Sequence, residues 1–451
     1  MNPKPPVTRT GKSGWLGHQT TRLKSLAVAG AVTLGFAGAV FAAAAPASAD
    51  PAFQFVGVGS DTTQSVMDYF AGQTSGGIIG SYDAVNPTSN VADETITPGV
   101  AGSGGAQQNC SFTRPNGSGQ GFKALDYSYN TSTTLAQLAT PPQAGCLAFS
   151  RSSGAPGSGT SASTGPGILN TSGNLVYIPF ALDAVTDATG PTTAISETTQ
   201  CNGPTTPAGF TCSSTTGLGT VTFTTTPTTI ANAGLFTLAN LQSLYGTCTA
   251  TVVNGVTYNP NAGGNIDLYA PQNGSGTLSF WESKMGVTAV QTCWHQTIVA
   301  GPATGVAVEE HDGTALASDP NGIAPISIAK WIAFSNGVVT PDLRHGDILQ
   351  PIVVGGTAVQ PISGGSLNVN FPIVREVYNV VAYNEVVNST GDTAFNPTLA
   401  GLLAGSGSAL CQSSFTIANL GFGTLPSPST ADSCGSTANS LRVQETNNGP
   451  S

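Results

Sequence analysis

The chain has 451 residues, with 57 Gly and 30 Pro but only 13 Lys+Arg and 23 Asp+Glu. Charged residues make up 8% of it, against roughly a quarter in ordinary soluble domains. A net charge of −10 excludes a cationic nucleic-acid-binding surface, and 39% hydrophobic residues do not fit a disordered chain. The length suits one large domain or two ordinary ones.

Residues 1–49 read as an export signal. Lys4, Arg9, Lys12, Arg22 and Lys24 form a basic start, an apolar stretch runs from about Leu26 to Ala45, and Ala47-Ser48-Ala49 offers a small-residue cleavage site. The leader has no Arg-Arg pair, which points to Sec rather than twin-arginine export, and no Cys stands at the site to carry a bacterial lipid anchor. Gly11-Lys12-Ser13 lacks the earlier Gly of a phosphate loop. Secretion is therefore expected. Cleavage after Ala49 removes five basic and no acidic residues, leaving eight basic against 23 acidic, net −15.

In chain order, Phe53 to Val56 reads as a short strand running into Gly57-Val58-Gly59-Ser60-Asp61. Thr62 to Phe70 follows as a helix with Val66, Met67 and Phe70 on one face, capped by Ser60 or Asp61. Residues 72–145 are rich in Gly, Ser, Thr and Asn and predict loops and short β segments. Leu147 to Phe149 is a second strand, and Leu175 to Ala181 a strong buried one closed by Asp183. After a Thr/Gly/Pro-rich stretch at 188–232, Phe236 to Tyr245 predicts an amphipathic helix with Thr237 as cap. Asp267 to Ala270 is a strand and Leu278 to Met285 a helix. Ile323 to Phe334 is apolar, and Val374 to Val387 is another strand candidate. Strands alternating with helices indicate an α/β fold.

Eight Cys lie beyond the leader, and an even count in an exported chain predicts four disulfides. Of 105 possible pairings, neighbours in order are expected, each closing a local loop: Cys110–Cys146, Cys201–Cys212, Cys248–Cys293 and Cys411–Cys434.

Four polar clusters each sit at the end of a short apolar strand: Ser60-Asp61-Thr62-Thr63, Arg151-Ser152-Ser153, Asp183, and Gly274-Ser275-Gly276-Thr277. Open α/β sheets bind ligands beyond their strand carboxyl ends. The first and last clusters also open helices, where free N–H groups and the dipole attract anions, while hydroxyls add donors without charge. Taken one at a time, such turns are ordinarily helix caps.

Three segments, Val56 to Gln64, Phe149 to Ser153 and Ile178 to Val185, resemble the first lobe of the phosphate-binding proteins, the substrate-binding components of phosphate ABC importers. Leu238 to Gly246 is similar to a helix of that family's second lobe, and Gln272 to Thr277 to its Gly-Ser-Gly-Thr anion loop. The ordered set spans about residues 53–335. The resemblance implies a two-lobed α/β fold of the type II periplasmic-binding-protein kind, here with Gly/Ser/Thr-rich insertions. On that basis lobe 1 comprises 50–186 plus about 320–400, lobe 2 comprises 187–319, and 401–451 is a C-terminal extension with a disulfide.

Carried over by position, Ser275, Gly276 and Thr277 supply donors from the second lobe. Ser60, Asp61, Thr62, Thr63 and Ser152 supply them from the first. Asp183 accepts a hydrogen bond from the proton that phosphate keeps at neutral pH. The family commonly has an Arg shortly before Ser-Gly-Thr, where Pro271 stands here, and Arg151 is the expected substitute. The implied ligand is inorganic phosphate or a similar oxyanion, the implied partner an ABC permease, and a monomer is expected. Neither a cofactor nor a metal is implied; Glu309-Glu310-His311-Asp312 has ligating residue types, but consecutive residues rarely converge on one ion. The missing lipid-anchor Cys and the insertions leave two alternatives open: a structural or adhesive protein retaining the fold, and a secreted phosphate-ester hydrolase. No G-x-S-x-G or H-E-x-x-H motif favours catalysis.

Overall fold

A computed structural model describes residues 52–73, 78–86, 92, 94–101, 107–129, 140–156, 175–191, 200–201, 210–212, 217–218, 221–223, 235–388, 394–425 and 433–443. The export signal read at 1–49 lies outside them, as do most of 157–174 and 192–234.

The five residues of β1 (Phe55–Gly59) are all buried. Their near-continuous apolar character fits a strand covered on both faces, and β1 pairs in parallel with β2 (Ile79–Ser81) and β3 (Phe149–Ser152). Helix α1 (Gln64–Gln73) buries Val66, Met67 and Phe70, as the spacing predicts.

Helix α2 (Ser118–Tyr129) lies inside the stretch expected to be loops and short β segments. Its opening, Ser-Gly-Gln-Gly, has poor helix propensity. Packing accounts for Gly121: a Cβ there would lie 2.4 Å from the Cα of Gly59, so α2 rests directly on β1. Phe122 and Leu125 then reach the core.

The strand expected to close at Asp183 instead continues to Thr189, giving the 15-residue β4 (Leu175–Thr189). Its first part pairs antiparallel with β8 (Val374–Ala382), and its last five residues pair antiparallel with β7 (Gly322–Ser327). β5 (Asp267–Tyr269) and β6 (Trp294–His295) complete the second half, in the order β6-β5-β7-β4-β8-β3-β1-β2. The β8–β4 register slips between Val377 and Tyr378, opposite Ala181 and Pro179. Pro179 has no N–H to give the ladder, and a bulge accommodates that.

This crossing strand serves two hydrophobic cores. Leu175 to Ala181 pack into core one with β1, α1, α2 and β3; Ala184, Val185 and Ala188 pack into core two with β5, β7 and helix α3 (Gly276–Met285). Core two also takes Leu349 to Ile373, and core one takes Leu399 to Leu441. The architecture is thus α/β and two-lobed, with β4 and β8 running through both halves. Asp183 falls between the cores.

Thr237 caps the short helix Leu238–Leu241, which continues as a wider turn over Gln242–Gly246 and delivers Tyr245 against Trp281 and Trp294. The apolar run from 323 divides into β7 and helix α4 (Ile328–Ser335), capped by Ser327. Disulfides join Cys110–Cys146, Cys248–Cys293 and Cys411–Cys434. The expected Cys201–Cys212 pair lies outside the described side chains. Among the described residues no helix is long and apolar enough to cross a membrane.

Candidate functional site

Where β4 and β8 cross from one core to the other, Arg375 stands in register opposite Asp183. Its Nε and Nη2 donate to Asp183 Oδ2 at 3.0 and 2.8 Å. The other carboxylate oxygen, Oδ1, accepts from Ser327 Oγ at 2.8 Å and from the Ala329 N–H at 3.1 Å. All four groups are buried. Asp183 therefore neutralises and orients Arg375, and both its oxygens are engaged within the protein.

The outer edge of the guanidinium faces hydroxyls from both halves. Nη2 donates to Thr277 Oγ1 at 2.9 Å and lies 3.4 Å from Thr62 Oγ1; the two hydroxyls are 3.4 Å apart. Thr62 precedes α1, whereas Thr277 belongs to the first turn of α3, capped by Ser275 through the Leu278 N–H. A second junction lies alongside. Ser118 Oγ and Ser153 Oγ are 3.3 Å apart, and a Cβ placed on Gly276 would come within 2.2 and 2.4 Å of them. Gly119 N–H donates to Gly274 O at 3.0 Å. The starts of α1 and α3 thus meet at one arginine, and the start of α2 meets that of α3 alongside. Like-signed dipole ends and a cation repel one another unless a negative group lies among them.

One such group is Glu310. Its Oε1 accepts from Ser275 Oγ and from the Thr277 N–H, the latter at 2.9 Å, while Oε2 is buried without a hydrogen bond. Burial raises this carboxyl, with the nearby Asp61 charge adding to the effect. His311 beside it has φ 61°, a strained value for a non-glycine residue. Its Nδ1 accepts from the Ser327 N–H at 3.3 Å, so Nε2 carries the proton and donates to Thr62 Oγ1 at 2.9 Å. Burial, then Lys330 and Arg375, hold His311 well below its ordinary pKa and keep it neutral.

Asp61, Glu310 and His311 bring one potential metal-ligating atom each to within 4.8 Å of one another. Other partners already use two of these groups. Lys330 Nζ binds Asp61 Oδ1 at 3.2 Å, and His311 Nε2 is the donor to Thr62. The donor set fits a hydrogen-bonded network better than an ion.

Of the residues singled out in the sequence, Thr62, Ser275, Gly276, Thr277 and Asp183 meet around Arg375. Arg151 is placed elsewhere. Its guanidinium is fully buried and donates to the carbonyls of Gly59, Ser60 and Tyr82 and to Ser81 Oγ. The cation of the cluster is Arg375, not Arg151. Ser152 closes its own turn on Gly154, and its neighbour Ser153 faces the junction. Ser60 and Thr63 are buried with hydroxyls that make no hydrogen bond, and Asp61 pairs with Lys330. Local sequence carries no sign of Ser118 or Arg375 here, and Glu310 is weighed in it only as a metal ligand. Arg375 had one signal, the scarcity of basic residues.

No protein-family model matches the chain, and no curated protein does. Solved structures with a similar outline include a candidate phosphate ABC transporter substrate-binding protein from Clostridium perfringens with bound phosphate. It is 11% identical at a TM-score of 0.38, covering 82% of this chain and 99% of that one. An ABC-type phosphate transport receptor from Vibrio cholerae is 12% identical at a TM-score of 0.36, with coverages of 82% and 99%. At this distance, what the present chain binds rests on its own residues.

Proposed function

We propose that the mature chain is a secreted solute-binding protein that holds phosphate, or a similar oxyanion, between its two cores. One observation carries this reading: Thr62 before α1 and Thr277 in the first turn of α3 meet at Arg375, and the start of α2 meets α3 alongside at Ser118 and Ser153. Thr62, Ser118 and Ser153 come from one half, Ser275 and Thr277 from the other. An oxyanion bridging them would hold the halves together, and N–H, hydroxyl and guanidinium donors would replace its water. Asp183 positions the arginine, while Glu310, with Oε2 free of hydrogen bonds, shares a proton with the ligand. Because the mature chain is acidic, its affinity comes from these local donors rather than long-range attraction. Export through the leader, a monomeric state and delivery to an ABC permease belong to the same proposal.

The test is titration calorimetry of the purified mature protein with phosphate and sulfate at neutral pH. Saturable heat with phosphate, lost in Arg375→Met, is the expected result. No binding at millimolar phosphate or other oxyanion overturns the proposal.

A further inference from the structure

Beside the hydroxyl cluster lies a cavity of about 340 Å³, within the size range of small-molecule sites. It is lined by the carboxylates of Asp61, Glu309, Glu310 and Asp312, against Lys330 and His345. Phe334, Val339 and Leu343 add an apolar wall. Glu310 belongs to both places, bonding Ser275 and Thr277 through Oε1, while its buried Oε2 makes no hydrogen bond and has His311 Nε2 3.7 Å away. Lys330 is committed to Asp61 at 3.2 Å, and Glu309 receives one hydrogen bond, from Asn116 Nδ2 at 3.1 Å. With Lys330 paired to Asp61 and His345 3.5 Å from Asp312, Glu309 and Glu310 are left to favour a cation over an organic anion. A cation with an aliphatic stem matches both the charge and the apolar wall.

We propose that the ligand of this site is a phosphate monoester carrying an ammonium group, its phosphoryl oxygens on Arg375 and the hydroxyl cluster and its ammonium in the carboxylate-lined cavity. The proposal rests on the oxyanion reading above and names the class of oxyanion. The internal cation also offsets about half to two-thirds of the phosphoryl charge, roughly −1.5 to −2 at neutral pH, so an acidic chain repels such a ligand less than a bare phosphate. Burial that raises Glu309 to about 7 is relieved when a cation arrives beside it.

Calorimetry with the purified mature protein compares phosphoethanolamine, glycerol phosphate and inorganic phosphate. Phosphoethanolamine is expected to bind at least about tenfold tighter than either of the others, a margin of about 1.4 kcal/mol. In the Glu309→Gln/Asp312→Asn variant, the ratio of phosphoethanolamine to glycerol phosphate affinity is expected to collapse toward one. The wild-type comparison stands even where that variant does not fold. Binding of phosphoethanolamine no tighter than inorganic phosphate overturns the ammonium site and leaves the oxyanion reading intact. Failure of all three ligands to bind overturns both.

Discussion

Arg375 and Asp183 face each other across antiparallel strands at the point where one hydrophobic core gives way to the other, joined by two hydrogen bonds to a single carboxylate oxygen. Both are buried, so each charge depends on its partner. Asp183→Ala leaves an uncompensated guanidinium and is expected to cost about 3–5 kcal/mol of stability. Asp183→Leu combined with Arg375→Met removes both charges and should recover much of that loss. Urea denaturation of Asp183→Leu, Arg375→Met and the double variant gives the coupling. Additive losses would show that the two charges do not act as a unit.

The contact between the halves at Gly276 leads to a second expectation. A methyl group there meets Ser118 Oγ and Ser153 Oγ at 2.2 and 2.4 Å and Ser118 Cβ at 3.0 Å; the hydroxyls can rotate away, but the Cβ retreats only with α2. Gly276→Ala should therefore hold the halves apart while leaving each core packed. Phosphate or phosphoethanolamine affinity is expected to fall at least about a hundredfold, equivalent to roughly 2.7 kcal/mol, with a modest change in melting temperature. Calorimetry and small-angle scattering distinguish this from unfolding. Unchanged affinity would mean that the junction does not close on the ligand.

Much of this arrangement was legible from local pattern. β1, β5 and α3 follow from apolar runs and a serine cap, so Thr62, Ser275, Gly276 and Thr277 could be found from the sequence. What escaped depends on tertiary context. Gly121, one of the two glycines that make α2 look like a loop, is required by contact with β1, and that loop-like composition hides Ser118 at the start of the helix. Asp183 looked like a strand end because polarity interrupts the apolar run, yet the strand passes from one core into the next and the carboxylate is matched across the sheet. That match lies 192 positions away at Arg375, beyond any local spacing rule. Arg151 was conspicuous for the same scarcity of cations, but its neighbours in space are carbonyls.

Arg151 accordingly has a different expected phenotype. Its guanidinium ties β3 to the end of β1 and to Ser81 and Tyr82 through four hydrogen bonds. Burial lowers its pKa, and the charges of Asp68, Asp83 and Asp61 oppose that shift. Arg151→Met leaves buried carbonyls unpaired and should cost several kcal/mol, on the order of 1–3 for each group stranded from water. Ligand affinity of the folded fraction should change far less than in Arg375→Met. The two substitutions are compared by melting curves and calorimetry at a temperature where both proteins remain folded. Equal loss of affinity in both would return Arg151 to the site.

Stability should also depend on pH through carboxyls outside the cluster. Asp187 lies on β4 beyond Asp183, fully buried between residues of core two, and burial pushes its carboxyl up to about 7. In the unfolded chain it ionises near 3.9. Between those values the native state holds the extra proton, so stability falls as pH rises from about 4 to about 7 and levels off above. Asp347 and Asp68, each raised to about 8, act in the same direction. Asp187→Asn replaces the carboxyl with a neutral group of the same shape. It should flatten its share of the slope, up to about 1.4 kcal/mol per pH unit. Melting temperatures of wild type and variant between pH 4 and 8 test this: the variant should gain on the wild type as pH rises. Parallel curves would show that Asp187 does not titrate in this range.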